Sequence, residues 1–183
     1  GETPVLIYYQ PHDYWHVVPG SPDGYWASHV DIRVVHSTDE IAAHLPANRE
    51  KCIAIGEFDD EALAFGIERI NPNTAINILH FSRGVKTEYE LAVMRLAAER
   101  GALGHIAAEA AFRDGRSEFD IHRAYCKAVS HTDPELPYGN IIAINDHGAV
   151  LHYTDLDRKA PESIRSFLID AGAQVHGYAS DIT

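Results

Sequence analysis

Basic residues are scarce in this chain: 15 Lys and Arg stand against 27 Asp and Glu, for a formal net charge of −12. Phosphate backbones and anionic lipid surfaces are held by clustered Lys and Arg, so nucleic-acid binding and a membrane-surface role are excluded, while a cationic ligand is well tolerated. Long apolar runs are missing too. No segment reaches the roughly 18 residues of a membrane span, and the opening GETPVLIYYQ lacks the basic-then-apolar pattern of a secretory signal. A cytoplasmic protein without a membrane partner is expected. Cysteine is nearly absent: Cys52 and Cys126 form no CxxC pair and are too few for a disulfide framework, so both read as plain thiols. Neither an internal repeat nor a low-complexity tract is present. What remains is 45% apolar content over 183 residues, enough for one core or two small ones. The 12 histidines are mostly scattered singly, so their abundance does not by itself mark a metal site.

Along the chain, residues 1 to about 80 alternate strand and helix signals, the pattern of a partly parallel sheet covered by helices. Strand-like runs are VLIYY (Val5 to Tyr9), IRVV (Ile32 to Val35) and CIAIG (Cys52 to Gly56), with Ile67 to Ile70 or Ala75 to Ile78 as a further strand. Ser37 and Glu40 have capping-box spacing and open a helix to about Leu45, before Pro46; Asp59 to Gly66 is a second short helix. The opening strand has no neighbour ahead of it and the chain starts without methionine, so residues upstream are expected to be missing. Tyr14, Trp15, Tyr25 and Trp26 crowd into loop-like sequence with His12 and His16. Such rings either pack a long connection locally or form an aromatic wall for a substrate or a subunit contact.

Asn71 to Gly84, with Pro72 and Asn73, reads as the connection to a second organisation. Thr87 and Glu90 form another capping box, opening an Ala-rich helix to about Phe112 that Gly115 ends; Ser117, Glu118 and Asp120 start a helix through Val129. Strands are expected at Asn140 to Asn145 and Ala149 to Tyr153, joined as a hairpin by Asp146-His147-Gly148.

The chain is organised around its last eighteen residues, SFLIDAGAQVHGYASDIT. Two apolar runs, Phe167 to Ala171 and Tyr178 to Ile182, flank a turn-like GAQVHG and read as a β-hairpin, with His176 in the turn and facing solvent. Asp170 and Asp181 are eleven apart, a spacing that lets them sit directly opposite each other on one face, with Cβ atoms about 5 Å apart. Two carboxylates that close repel unless a cation lies between them, and Asp170 follows Phe-Leu-Ile, where an uncompensated charge is expensive. A divalent metal, or a pair, is the natural occupant.

FLIDAG and GYASDIT resemble the metal-ligand motif of the pita-bread metallopeptidases, in detail the bacterial-type Xaa-Pro dipeptidases, or prolidases, a group that includes organophosphorus acid anhydrolases. KTEYELAVMR resembles the helix that opens their catalytic domain. The resemblance implies an α/β N-terminal part over residues 1–82 and the first part of an α+β pita-bread domain over residues 83–183. It implies Asp170 and Asp181 as metal ligands, two Mn2+ ions per subunit, and a His and two Glu ligands beyond Thr183. Hard carboxylate oxygens are consistent with Mn, Mg, Co or Zn rather than copper. His152, a strand histidine that composition alone would leave as a hydrogen-bonded structural residue, falls at the family's catalytic histidine, which contacts substrate near the scissile bond. Tyr138, in PYGNI, falls at a substrate-pocket position, although a packed tyrosine with its tip at the surface is an equal reading. The implied activity is hydrolysis of the imide bond in a small peptide ending in proline, by a homodimer, with organophosphorus esters as a side activity. The 183 residues alone are expected to be inactive. Xaa-Pro aminopeptidase is the alternative among enzymes; a metal-free homologue, creatinase-like or peptide-binding, is the alternative of another class, and two facing charges argue against it.

Overall fold

In a computed structural model of the chain, the structure describes residues 3–183; Gly1 and Glu2, with which the expected first domain begins, lie outside them. The chain divides at Arg83 into two compact units.

In the first unit the β-branched and aromatic run Val5–Tyr9 forms strand β1, which pairs in parallel with β2 (Asp31–Val35), Val5 against Asp31 through Tyr9 against Val35. The Ser37/Glu40 capping box forms as expected and opens α1 (Thr38–His44), with Leu45 as C-cap. Helix α2 spans Asp59–Ala64. The third strand is reduced to one parallel bridge, Ala54 to Ile70. Residues read as a connection or a further strand instead form helix α3 (Asn73–Gly84), because Pro72 supplies the carbonyl that accepts from Ala75 and Ile76 and starts the first turn.

The second unit is built on two capped helices. Thr87 and Glu90 close their box around the start of α4 (Glu88–Arg113), and Ser117 accepts from the Asp120 amide at the start of α5 (Glu118–Val129). Gly104 faces Tyr125 and Val129 of α5, and a Cβ built there would lie 2.5 Å from the Tyr125 ring, so a glycine lets the helices close. Ile121, Tyr125 and Val129 bury fully against Ile142 and Ile144 of β3 (Ile141–Ile144) and against Ala171 and Ala173.

The partner of β3 differs from expectation. It pairs antiparallel with β4 (Phe167–Asp170), which places Ile141 opposite Asp170, and not with residues 149–153. Asn145–Ala149 coils into a 3-10 turn, and Leu151 and His152 form a further turn. The terminal hairpin forms, with a tighter turn than expected: β5 (Gln174–Val175) and β6 (Tyr178–Ala179) are joined by His176 and Gly177 alone, both at positive φ (49° and 80°), the two-residue geometry that matches strand twist.

Candidate metal centre

The two aspartates follow from this register. The bridge from Ala171 to Ile182 continues the alignment of β5 with β6, which sets Thr183 opposite Asp170 and Asp181 opposite Gly172. Asp170 and Asp181 therefore share a face of the ladder but are diagonal neighbours, not the directly opposed pair the spacing suggested. The two-residue turn is the cause, since it shifts the pairing by two residues relative to the expected alignment. Diagonal Cβ atoms lie roughly 7 Å apart, still within reach of carboxylates bridged by a cation.

Gly172 lies on this face between them. A Cβ there would come within 2.2 Å of the Ser180 carbonyl oxygen and 2.8 Å of the Tyr138 ring. The bare glycine lets the strand carrying Asp181 and the Tyr138 ring approach together. The Tyr138 hydroxyl donates to Asp181 Oδ1 at 3.0 Å. Burial first, and then the carboxylates of Asp170 and Asp181, push that hydroxyl well above the ordinary tyrosine range, so it stays a donor. Ala173 and Ser180 lock the strands from below: the Ala173 amide donates to Ser180 Oγ at 3.0 Å and the Ser180 amide to the Ala173 carbonyl at 2.8 Å. From α4, His105 Nε2 donates to the Ala171 carbonyl at 3.1 Å, fixing the chain immediately after Asp170.

Asp170 Oδ1 is buried and has no hydrogen-bond partner among the described residues. An acceptor in that position wants a cation or a donor. The residues present thus fit a hard divalent ion, with Asp170 and Asp181 as carboxylate ligands. Among the described residues they gather no third His, Cys, Asp or Glu.

His152 is exposed and sits at φ 54° in a turn, not on a strand, yet it shares with Asp170, though not with Asp181, a recess of about 300 Å³ that Ile141, His147, Leu151, Leu168 and Thr183 also line. His176, at the turn of the terminal hairpin, is exposed.

One residue of this region gave no signal in the sequence beyond its place in the first turn of a helix. Glu118, 2% exposed, accepts at Oε1 from the Ile144 amide (2.7 Å) and His147 Nδ1 (2.8 Å), and at Oε2 from the Tyr153 hydroxyl (2.7 Å) and the Asp157 amide (2.8 Å). Burial alone would raise this carboxyl, but the four donors outweigh it and hold the pKa below the ordinary glutamate value. The carboxylate in turn raises the pKa of His147. Its four partners span the loop that carries His152, in which Asn145, His152 and Leu156 all take left-handed backbone conformations (φ 58°, 54° and 51°). Non-glycine residues held so cost about 1–3 kcal/mol each and persist only where surrounding bonds enforce them. Glu118 supplies bonds on both sides of His152, while Asn145 is tied separately to Ser163, Arg165 and Ser166.

Solved structures share this architecture. A point variant of Escherichia coli aminopeptidase P superposes with a TM-score of 0.70 over 97% of this chain and 45% of its own, at 21% identity. The X-Pro aminopeptidase of Thermotoga maritima MSB8 gives 0.57 over 97% and 50%, at 17% identity. The fold is thus an α/β N-terminal domain followed by the start of a pita-bread domain. The chain belongs to metallopeptidase family M24, whose model matches residues 92–183, and residues 1–81 match the Xaa-Pro dipeptidase N-terminal domain. All 183 residues align at 56% identity with the Xaa-Pro dipeptidase of Xanthomonas campestris pv. campestris (strain B100), and at 55% with that of Stenotrophomonas maltophilia (strain K279a). The chain spans 41% of the length of each. Membership of a metallopeptidase family implies a divalent metal cofactor.

Proposed function

We propose that the protein carrying this chain hydrolyses the imide bond of Xaa-Pro dipeptides as a homodimeric, cytoplasmic metallopeptidase with two Mn2+ ions per subunit. The observation that carries the reading is the buried Asp170 oxygen, without a partner among the described residues and on one face with Asp181, within a chain 56% identical over its length to an Xaa-Pro dipeptidase. Asp170 and Asp181 would hold the ions, with the remaining ligands outside these 183 residues. When bound, such a pair supplies Lewis-acid polarisation of the scissile carbonyl and a water acidic enough to attack at neutral pH. The rest is done by side chains of this chain. His152, presented to the recess by the Glu118-held loop, donates a hydrogen bond to the substrate near the scissile carbonyl, where negative charge grows in the transition state. Tyr138, a donor throughout, orients the Asp181 carboxylate and closes the pocket beside it. The exposed rings of Tyr14 (90%) and Trp15 (84%) suit a subunit contact better than local packing, which leaves them in solvent.

Proline release from Ala-Pro and Leu-Pro by the full-length, Mn2+-loaded enzyme tests the reading, with sedimentation velocity on the same preparation for the dimer. Turnover of the dipeptides and none of Ala-Pro-Ala is expected. Preference for the tripeptide would favour an Xaa-Pro aminopeptidase, the reading that the superposed aminopeptidases suggest. Release of fluoride from diisopropyl fluorophosphate in the same assay reports the organophosphorus side activity.

A further inference from the structure

On α5, His122 and Cys126 stand four residues apart and so share a helix face. The 3-10 turn Asp133–Glu135, just past the helix, folds Asp133 back onto that face. His122 Nε2 lies 2.7 Å from Asp133 Oδ1, and Cys126 Sγ lies 3.5 Å from the same nitrogen and 4.0 Å from the same oxygen. A tetrahedral ion with bonds of about 2.0–2.3 Å sets its nitrogen, oxygen and sulfur ligands roughly 3.3–3.6 Å apart. One edge of the observed triangle already fits. The others need shifts of about 0.6 Å or less, which the Asp133 side chain, 78% exposed, is free to make. The triad opens into a recess of about 320 Å³, with room for a water as fourth ligand.

A second observation points the same way. Asn140 is 3% exposed and its Nδ2 lies 3.4 Å from His122 Nδ1, while its own Oδ1 is buried with no partner among the described residues. With its proton on Nε2, His122 donates to Asp133 and accepts at Nδ1 from Asn140 Nδ2, which leaves the Asn140 oxygen without a donor among the described residues. A cation displaces the Nε2 proton, and the neutral imidazole then carries its proton on Nδ1. Half a turn of the Asn140 amide, which exchanges Nδ2 for Oδ1, then presents an acceptor to that N–H, the kind of partner a metal-ligating imidazole requires.

We propose that His122, Cys126 and Asp133 form a one-ion site for a borderline-soft divalent cation of the Zn2+ class, separate from the carboxylate pair. Thiolate and imidazole select such an ion, whereas Asp170 and Asp181 offer only hard oxygens. Burial, and then the Asp133 charge, push the Cys126 thiol up to about 11, so it enters the reaction protonated. Binding breaks the S–H bond, forms the metal–sulfur bond and releases one proton to solvent. The ion ties the turn beyond α5 to the helix; no catalytic step is assigned to it.

Titration of the metal-free full-length protein with Co2+ tests the proposal, because cobalt–thiolate ligation produces an intense near-ultraviolet charge-transfer band that oxygen ligands cannot. The band should saturate at one ion per chain, bleach with one equivalent of Zn2+, survive in Cys52→Ser and vanish in Cys126→Ser. Asp133→Asn, a substitution at an exposed side chain, should leave the fold intact and raise the dissociation constant for Co2+ at least about tenfold. Absence of the band, its persistence in Cys126→Ser, its loss in Cys52→Ser, or unchanged affinity in Asp133→Asn would overturn the site.

Discussion

Asp170 Oδ1 is a buried acceptor without a donor among the described residues, and leaving such a group unmet costs about 1–3 kcal/mol. A stable chain keeps such a cost where something else will meet it. The pair was legible in the sequence because period-two alternation puts both aspartates on one face; their offset was not, because it depends on two residues, His176 and Gly177, adopting positive φ. Gly172 is a related case. It looks like a turn residue, but it serves the close approach of Ser180 and Tyr138. Gly172→Ala should therefore destabilise the second unit by about 1–3 kcal/mol and weaken metal binding as well, because the strand bearing Asp181 must move away. Thermal unfolding with and without Mn2+ checks this; a variant of wild-type stability and affinity would show that the approach is not needed. His152→Ala makes the opposite split. Among the described residues it makes no hydrogen bond to Asp170 or Asp181, so metal content should stay at the wild-type level while kcat falls about 10²-fold, the usual cost of one lost transition-state hydrogen bond. Metal analysis beside steady-state kinetics separates the two, and an emptied site would refute the assigned role.

The helices show which elements a sequence declares. Ser37 with Glu40, and Thr87 with Glu90, were readable because a capping box is closed by residues three apart. The segment from Ala149 to Tyr153 was not, because its apolar residues suit a strand while the bond that ties it back in a turn comes from Glu118, 35 residues before Tyr153. That grip has a pH signature. Glu118 is held below its ordinary value of 4.5, so its contribution to stability is complete above that pH and is lost as pH falls through the lowered native pKa. His147 is raised above 6.5, so its contribution is complete below 6.5 and is lost as pH rises through the raised native pKa. Stability of the second unit should be greatest between these limits. Glu118→Gln should flatten both flanks and lower stability throughout, by about 1–3 kcal/mol for each donor left unmet. Midpoints of thermal unfolding across pH 3 to 9, wild type against variant, measure it; parallel curves would mean that other groups set the pH dependence.

At the scale of the whole molecule, a net charge of −12 and a candidate centre built from acidic oxygens both favour a cation as the molecule's chemical partner. Two carboxylates are nonetheless a small part of a working site. Asp170 and Asp181 collect no further His, Cys, Asp or Glu among the described residues, so an ion placed there would fill most of its positions with water and be held in no fixed orientation. Catalysis of amide hydrolysis requires ligands and reacting groups held to within about 0.5 Å, and a loosely bound ion cannot provide that. The exposed apolar side chains of the second unit, among them Leu103 (58%), Ile106 (63%) and Leu151 (85%), would also remain in solvent in these 183 residues taken alone, which favours self-association over a well-ordered recess. The 183-residue chain, purified and given excess Mn2+, should release proline from Ala-Pro or Leu-Pro no faster than Mn2+ alone, although His152, Asp170 and Asp181 are all present. Turnover clearly above that control would mean that these residues suffice for catalysis and that the centre lies wholly within this sequence.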